Sequence, residues 1–241
     1  MFRQKRGVGL SEIIEAKGVI RMKRSNKVSK AVIRRLPRYY RYLSDLQRKG
    51  TVRISSSALG NEMGLTASQI RQDLFCFGEF GQQGYGYKVS SLRDEIAEIM
   101  GINQGHTAVI LGVGNLGRAL MENFRFHVYG FQVKAAFDVN ESLIGMEVGK
   151  IPIYHVDELE RYLGENPASV GVLTVPKAVA LSTAQRLVAA GIRGIWNFTN
   201  TEISFEEENV VVESVHFSDS LLALSYMITR AGPGEEQEED K

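Results

Sequence analysis

The sequence predicts an α/β chain of two domains: a winged-helix head, then a Rossmann-type parallel-sheet domain, with one more helix at the end. Three observations predict it. Charge is split along the chain, with 18 Lys and Arg against 6 Asp and Glu in residues 1–92, and 11 against 22 in residues 93–241. Two short helical patterns meet at Gly64 and precede a segment rich in glycine and aromatics. From Thr107 onward strand-like and helix-like runs alternate, and the first strand leads into Gly112-Val113-Gly114-Asn115-Leu116-Gly117.

With 241 residues and 44% hydrophobic content, the chain can bury two small cores. Its longest apolar runs, such as 108–113, are too short to cross a bilayer. The basic N-terminus lacks an apolar stretch of the kind found in secretory leaders, so a cytoplasmic location is expected. Cys76 is the one cysteine, which excludes an intrachain disulfide and a thiolate metal cluster. Set between Phe75 and Phe77, it reads as a small buried apolar residue.

Residues 1–25 form a basic arm with weak periodicity and are expected to be flexible. The head is expected over 26–92. Its first helix, 29–49, carries Val32, Ile33, Leu36, Tyr39, Tyr40, Leu43 and Leu46 on one face. Pro37 predicts a kink or a break near Leu36. A second helix starts at Ser55 to Ser57, and Gly64 permits a tight turn. Thr66-Ala67-Ser68-Gln69 is a capping box opening a third helix to Phe77. The segment 81–89 reads as a hairpin or wing, and a helix over 91–100 leads onward.

The parallel-sheet domain is expected over 93–215. Strands are predicted at 107–111, 131–137, 170–175, 194–198 and 210–215, and helices at 117–126, 156–163 and 178–190. A last amphipathic helix covers 217–229, and 232–241 reads as an acidic, disordered tail.

The glycine triplet follows a strand and opens a helix, the context that makes it a dinucleotide turn. Gly112 allows the sharp turn, Gly114 lets backbone approach a pyrophosphate, and Gly117 permits close helix–strand packing. Asn115 and Leu116 sit in the same turn, at a helix N-terminus that offers free N–H groups. Asp138, 21 residues after Gly117, stands where a carboxylate takes ribose hydroxyls and repels a 2′-phosphate. NAD+ and NADH are thus favoured over their phosphorylated forms. Thr174, Val175 and Pro176 end one strand at the ligand edge, and Asn197 and Phe198 end the next.

In a helix-turn-helix the second helix enters the major groove, which here presents Thr66, Ser68, Gln69, Arg71 and Gln72 to base edges. Gln suits adenine and Arg suits guanine. Tyr85 and Lys88 on the wing, and Arg34, Arg35, Arg38 and Arg41, are placed for groove edges or phosphates. An NAD-dependent dehydrogenase and a CoA-binding regulator are the alternatives. The first lacks room for a substrate domain after residue 215, and Asp138 opposes the phosphorylated ribose of the second.

Together these residues resemble one family, the redox-sensing transcriptional repressor Rex. The resemblance rests on Arg35-Leu36-Pro37-Arg38-Tyr39-Tyr40-Arg41, Gln69-Ile70-Arg71-Gln72-Asp73-Leu74, Phe77-Gly78-Glu79-Phe80-Gly81, Ala136-Phe137-Asp138-Val139-Asn140, Leu173-Thr174-Val175-Pro176 and Gly191-Ile192-Arg193-Gly194-Ile195-Trp196-Asn197-Phe198. It covers about residues 28–230. It implies a homodimer whose C-terminal helix, 216–231 here, swaps onto the partner between that partner's two domains. It also implies operator DNA as partner, release by NADH, and binding permitted by NAD+. Phe217 matches an apolar position that reaches the partner's nicotinamide pocket in family members. Two positions depart from some relatives: His216 stands where they have Asp, and Phe124 where they have Tyr.

Overall fold

The computed structural model describes residues 28–78, 80, 85–206 and 209–231. The basic arm at 1–25, the tail at 232–241 and wing residues 81–84 lie outside them. The chain forms two compact units that part between Asn103 and Gln104.

The first unit begins with α1, Lys30–Arg48, capped by the Ser29 side chain. It runs unbroken through Pro37. Pro37 is on the exposed side, as is Ile33 one turn earlier, whose carbonyl loses its usual N–H partner. Water can hydrate that carbonyl, so the helix need not end there. Next come β1, Arg53–Ile54, then α2, Ser56–Met63, and α3, Ala67–Phe75. Gly64 closes α2 in the left-handed region at φ 65°. The strand β2, Tyr87–Lys88, pairs antiparallel with β1. The sequence reads 81–89 as a hairpin or wing; within its described part, Tyr87–Lys88 pairs with β1, a strand too short to show a period. The helix α4, Val89–Ile99, follows. Leu36, Tyr39, Leu43, Leu59, Ile70, Leu74, Leu92 and Ile96 share one core. Leu92 and Ile96 belong to that core, so α4 is part of the head and the boundary falls later than the expected 92/93.

The second unit is a seven-stranded sheet of order β5-β6-β4-β3-β7-β8-β9. The strands are β3 His106–Leu111, β4 Phe131–Asp138, β5 Glu147–Val148, β6 Ile151–His155, β7 Val170–Leu173, β8 Gly194–Asn197 and β9 Val211–Ser214. All neighbours are parallel except β5 and β6. Helices α5 Asn115–Asn123, α6 Leu159–Glu165 and α7 Lys177–Ala189 connect them. Chain order reverses between β3 and β7, the switch point at which such sheets bind ligands. The sequence does not announce β6, because its five residues include Pro152.

On one face Val109, Leu111, Phe137, Leu173, Leu159, Leu163, Ala184 and Leu187 pack α6 and α7 onto the sheet. On the other, α5 covers Ile110, Ala136 and Ile153. Beyond α5 that second face carries aromatic rings in series. Trp196 lies 5.4 Å from Phe124 and 4.6 Å from Phe198, and Phe198 stacks 6.1 Å from Phe217. Phe217 opens α8, Phe217–Ala231, whose described side chains are all exposed.

Candidate functional site

Two sites take shape, one in each unit. In the head, Thr66 caps α3 by accepting the Gln69 N–H at 3.1 Å. The expected capping box is only half made. Gln69 directs its Nε2 to Asp73 Oδ1 at 2.8 Å instead. Asp73 is 1% exposed. Arg35 donates Nε to its Oδ2 at 2.6 Å and a terminal nitrogen to its Oδ1 at 2.8 Å. The Tyr39 hydroxyl donates to Oδ2 at 2.6 Å. Burial alone would raise the Asp73 pKa, but the hydrogen bonds from Arg35, Tyr39 and Gln69 outweigh it and hold the carboxyl below its ordinary range. Burial, and then the bond to Asp73, push the Tyr39 hydroxyl well up.

This revises two expectations. The sequence places Arg35 and Gln69 on the DNA face; Arg35 gives two of its nitrogens to the buried carboxylate, and the half-buried Gln69 gives it only its amide nitrogen, keeping its carbonyl oxygen. Arg38 is exposed, yet it donates to the Met63 carbonyl at 3.1 Å and so helps tie α1 to α2. Ser68, Arg71 and Gln72 are exposed on one side of α3. Arg71 also donates to Ser56 Oγ at 3.1 Å. Arg34, Arg41, Thr66, Tyr85 and Lys88 are exposed. Cys76 is exposed as well, contrary to its apolar reading. Ile70 and Leu74 take the buried side of α3, and Cys76 falls beyond its last residue. Sequence reasoning missed Arg53. It donates Nε to the Tyr85 carbonyl at 2.9 Å, with its guanidinium 6.0 Å from the Tyr85 ring centroid. It also missed Asp73, whose signal was the Gln–Asp pair one helical turn apart.

In the sheet unit, the turn after β3 is built by contact as much as by conformation. Gly112 has φ +94°, and a Cβ there would lie 2.8 Å from the Thr174 carbonyl oxygen. A Cβ on Gly117 would lie 2.0 Å from the Gly112 carbonyl oxygen. Gly114 differs, since a Cβ there meets nothing within 4 Å. Gly114 is the N-cap of α5 and brings no side-chain bond to the first-turn N–H groups. The first-turn N–H groups, on Asn115, Leu116 and Gly117, are therefore left without a side-chain cap at the positive end of the helix. Asp138 ends β4 beside this turn, accepting the Val113 N–H at 2.6 Å and the Asn140 N–H at 2.9 Å. A carboxylate has about four acceptor sites, so it keeps capacity for hydroxyl donors. The turn thus fits the pyrophosphate and ribose of a dinucleotide.

Thr174 braces the turn from the next strand, its hydroxyl lying 2.7 Å from the Gly112 carbonyl and 3.0 Å from that of Leu111. Val175 is partly buried and Pro176 exposed at the same edge. Asn197 departs from its expected place on the pocket wall. It is 1% exposed, donates to the Thr201 carbonyl and Ser214 Oγ, and accepts from Thr199. It holds the loop after β8 rather than facing a ligand. Phe198 is partly buried and Phe217 is 57% exposed, so this pair keeps an apolar surface near the strand ends. A separate apolar cavity of about 360 Å³, lined by Phe124, Phe126, Tyr129 and Trp196, reaches Ala108, Val170 and Val211 near the other end of the strands. It is not the dinucleotide turn. No group of His, Cys, Asp or Glu among the described residues is arranged to hold a metal ion. No helix among them is long and apolar enough to cross a membrane.

Comparisons with known proteins agree with this division. A family model described as "Putative DNA-binding protein N-terminus" matches residues 27–74, and one described as "CoA binding domain" matches 103–201. The redox-sensing transcriptional repressor Rex of Clostridium botulinum is 49% identical over 209 residues, 87% of this chain and 99% of that protein. The Rex of Clostridium beijerinckii is 44% identical over 210 residues, with the same coverage of both chains. A crystal structure of RSP with β-NAD+ and operator DNA has 44% identity and a TM-score of 0.80, covering 86% of this chain and 94% of that one. RSP with β-NADH has 41% identity and a TM-score of 0.79, covering 86% and 96%. Matched over nearly the full length of those relatives, the chain belongs to the redox-sensing transcriptional repressor Rex family.

Proposed function

We propose that the chain is a transcriptional repressor that binds operator DNA as a homodimer and leaves it when NADH occupies the turn after β3. The observation that carries this is the open glycine turn beside Asp138, in a chain whose other unit is a helix-turn-helix head. The N–H groups of Asn115, Leu116 and Gly117 would take the pyrophosphate, and Asp138 the adenosine ribose. Bound NADH would supply a neutral, reduced nicotinamide where NAD+ supplies a cationic one. Discrimination must arise at that ring, and an apolar wall such as Phe198 and Phe217 disfavours the cation. On the head, Ser68, Arg71 and Gln72 would meet base edges, with Arg34, Arg38, Arg53, Tyr85 and Lys88 on the backbone or the groove rim.

Exposed Leu221, Leu222, Leu224, Met227 and Ile228 on α8 support its exchange with a second copy of the chain. In one dimer state the recognition helices would meet successive major grooves about one DNA turn apart. NADH would favour another. A ligand moves such an equilibrium only by its differential affinity, and a shift from 1:99 to 99:1 requires roughly 5.5 kcal/mol. This reading makes the chain a cytoplasmic regulator rather than an enzyme. The CoA-binding alternative is disfavoured by Asp138, which opposes a nearby ribose phosphate. An electrophoretic shift on operator fragments, with NADH, NAD+ and CoA titrated separately, tests the proposal. Release by NADH at concentrations where NAD+ does not release supports it; equal grip under saturating NADH and NAD+ rejects it.

A further inference from the structure

On the reading side of α3, the Gln69 side chain is anchored from beneath by a buried carboxylate. Its Nε2 lies 2.8 Å from Asp73 Oδ1, one helical turn along. Asp73 accepts from Arg35 twice, from Tyr39 and from Gln69, which fills both oxygens with two donors each. An ionised carboxylate accepts only. The amide end facing it must therefore be the nitrogen, and the carbonyl Oε1 is turned the other way. A free glutamine can rotate its amide and offer either end to a base. This one cannot without placing Oε1 against Asp73, where two acceptors would meet inside the head. The anchor is itself rigid, because Arg35 and Tyr39 lie on α1, whose Leu36, Tyr39 and Leu43 are in the head core.

We propose that Asp73 is a specificity-positioning residue: it locks the Gln69 amide so that α3 presents Oε1 as an acceptor toward an exocyclic amino group, adenine N6 or cytosine N4, in the major groove. This rests on the reading that α3 enters that groove. Asp73 touches no base. It decides which end of Gln69 does, and Arg35 and Tyr39 hold Asp73 in place.

The experiment selects bound half-sites from a randomised operator pool, using the full chain. Gln69→Met keeps length and leaves the Arg35–Asp73–Tyr39 cluster intact. It should lower the preference at one base pair about tenfold and leave the others unchanged. Asp73→Asn lets the amide turn, and should flatten that same position. A second measurement needs no variant at Asp73. Replacing the selected base by an analogue lacking its exocyclic amino group should weaken wild-type binding about tenfold and leave Gln69→Met binding unchanged. The inference is overturned if Gln69→Met keeps every preference, or if the amino group proves dispensable to the wild type. It is also overturned if Asp73→Asn weakens all sequences equally while Gln69→Met flattens one position. Each of these leaves sequence-selective binding in place, so the broader reading survives them. That reading fails separately, if the wild-type chain selects no sequence at all.

Discussion

Asp73 and Asp138 are the carboxylates on which the two candidate sites turn, and the fold treats them in opposite ways. Asp73 is sealed in the head, with four donors on its two oxygens. Asp138 is partly buried at the end of β4 and accepts two backbone N–H groups, leaving acceptor sites over. A saturated carboxylate can only support a surface made by others. An unsaturated one beside an open helix N-terminus can still bind. The same contrast runs through the glycines: Gly112 and Gly117 are closed by protein atoms, while Gly114 is not.

The largest expected effect comes from emptying the closed site. Asp73→Ala leaves the Arg35 guanidinium and Tyr39 hydroxyl without their acceptor. Removing one partner of a buried pair costs about 3–5 kcal/mol, and the low end applies because Arg35 is 22% exposed. Urea denaturation should show that loss, and NADH binding in the other unit should persist. The same carboxylate gives the head an acid limit. Its folded pKa is depressed, so its stabilisation is complete above the unfolded value of about 3.9 and is lost as pH falls below it. A head whose stability did not fall between about pH 4 and pH 2 would contradict the buried cluster.

The glycines provide the next contrast. Gly117→Ala must displace the Gly112 carbonyl, and such overpacking costs roughly 1–3 kcal/mol. Thermal unfolding should report it, along with loss of NADH binding. Gly114→Ala meets no protein atom. Its stability should stay within about 0.5 kcal/mol of wild type, as for surface substitutions, while calorimetry shows weaker NADH. Equal effects on stability at the two positions would remove the distinction between a packed glycine and an open one.

Asp138→Asn tests the open carboxylate directly. The asparagine has one acceptor oxygen, so it can keep the Val113 N–H or the Asn140 N–H but not both. It also loses the charge that favours ribose hydroxyls. NADH affinity should fall roughly tenfold, or about 1.4 kcal/mol, by calorimetry.

Much of this was legible in the sequence for a physical reason: periodicity and glycine spacing report local geometry. The turn from Gly112 to Gly117, the caps at Ser55 and Thr66, and the alternation of strands and helices are all set within a few residues. What escaped is set by distant partners. Arg35 is a polar residue on a polar-looking face, and only a carboxylate 38 residues away turns it inward. Asn197 sits at a strand end like a ligand residue, yet Thr201 and Ser214 claim it. Strands β1 and β2 span two residues each, too few for any period to show.

A third carboxylate completes the comparison and carries the smallest effect. Glu160 faces Arg186 in two parallel bonds, Nε to Oε1 at 2.6 Å and a terminal nitrogen to Oε2 at 2.8 Å. The pairing is as well made as that of Asp73, and the Arg186 hydrogen bond likewise lowers the Glu160 pKa. The surroundings differ, because the two side chains are 48% and 36% exposed. Water and salt screen such a pair, which limits it to about 0.5 kcal/mol despite its geometry. Arg186 also donates to the Val156 carbonyl, so it stays anchored when Glu160 is lost. Glu160→Gln should therefore cost about 0.5 kcal/mol at low ionic strength and less at 1 M salt, by urea denaturation. A salt-independent loss near that of Asp73→Ala would mean that bond geometry, and not burial, sets what a carboxylate is worth in this protein.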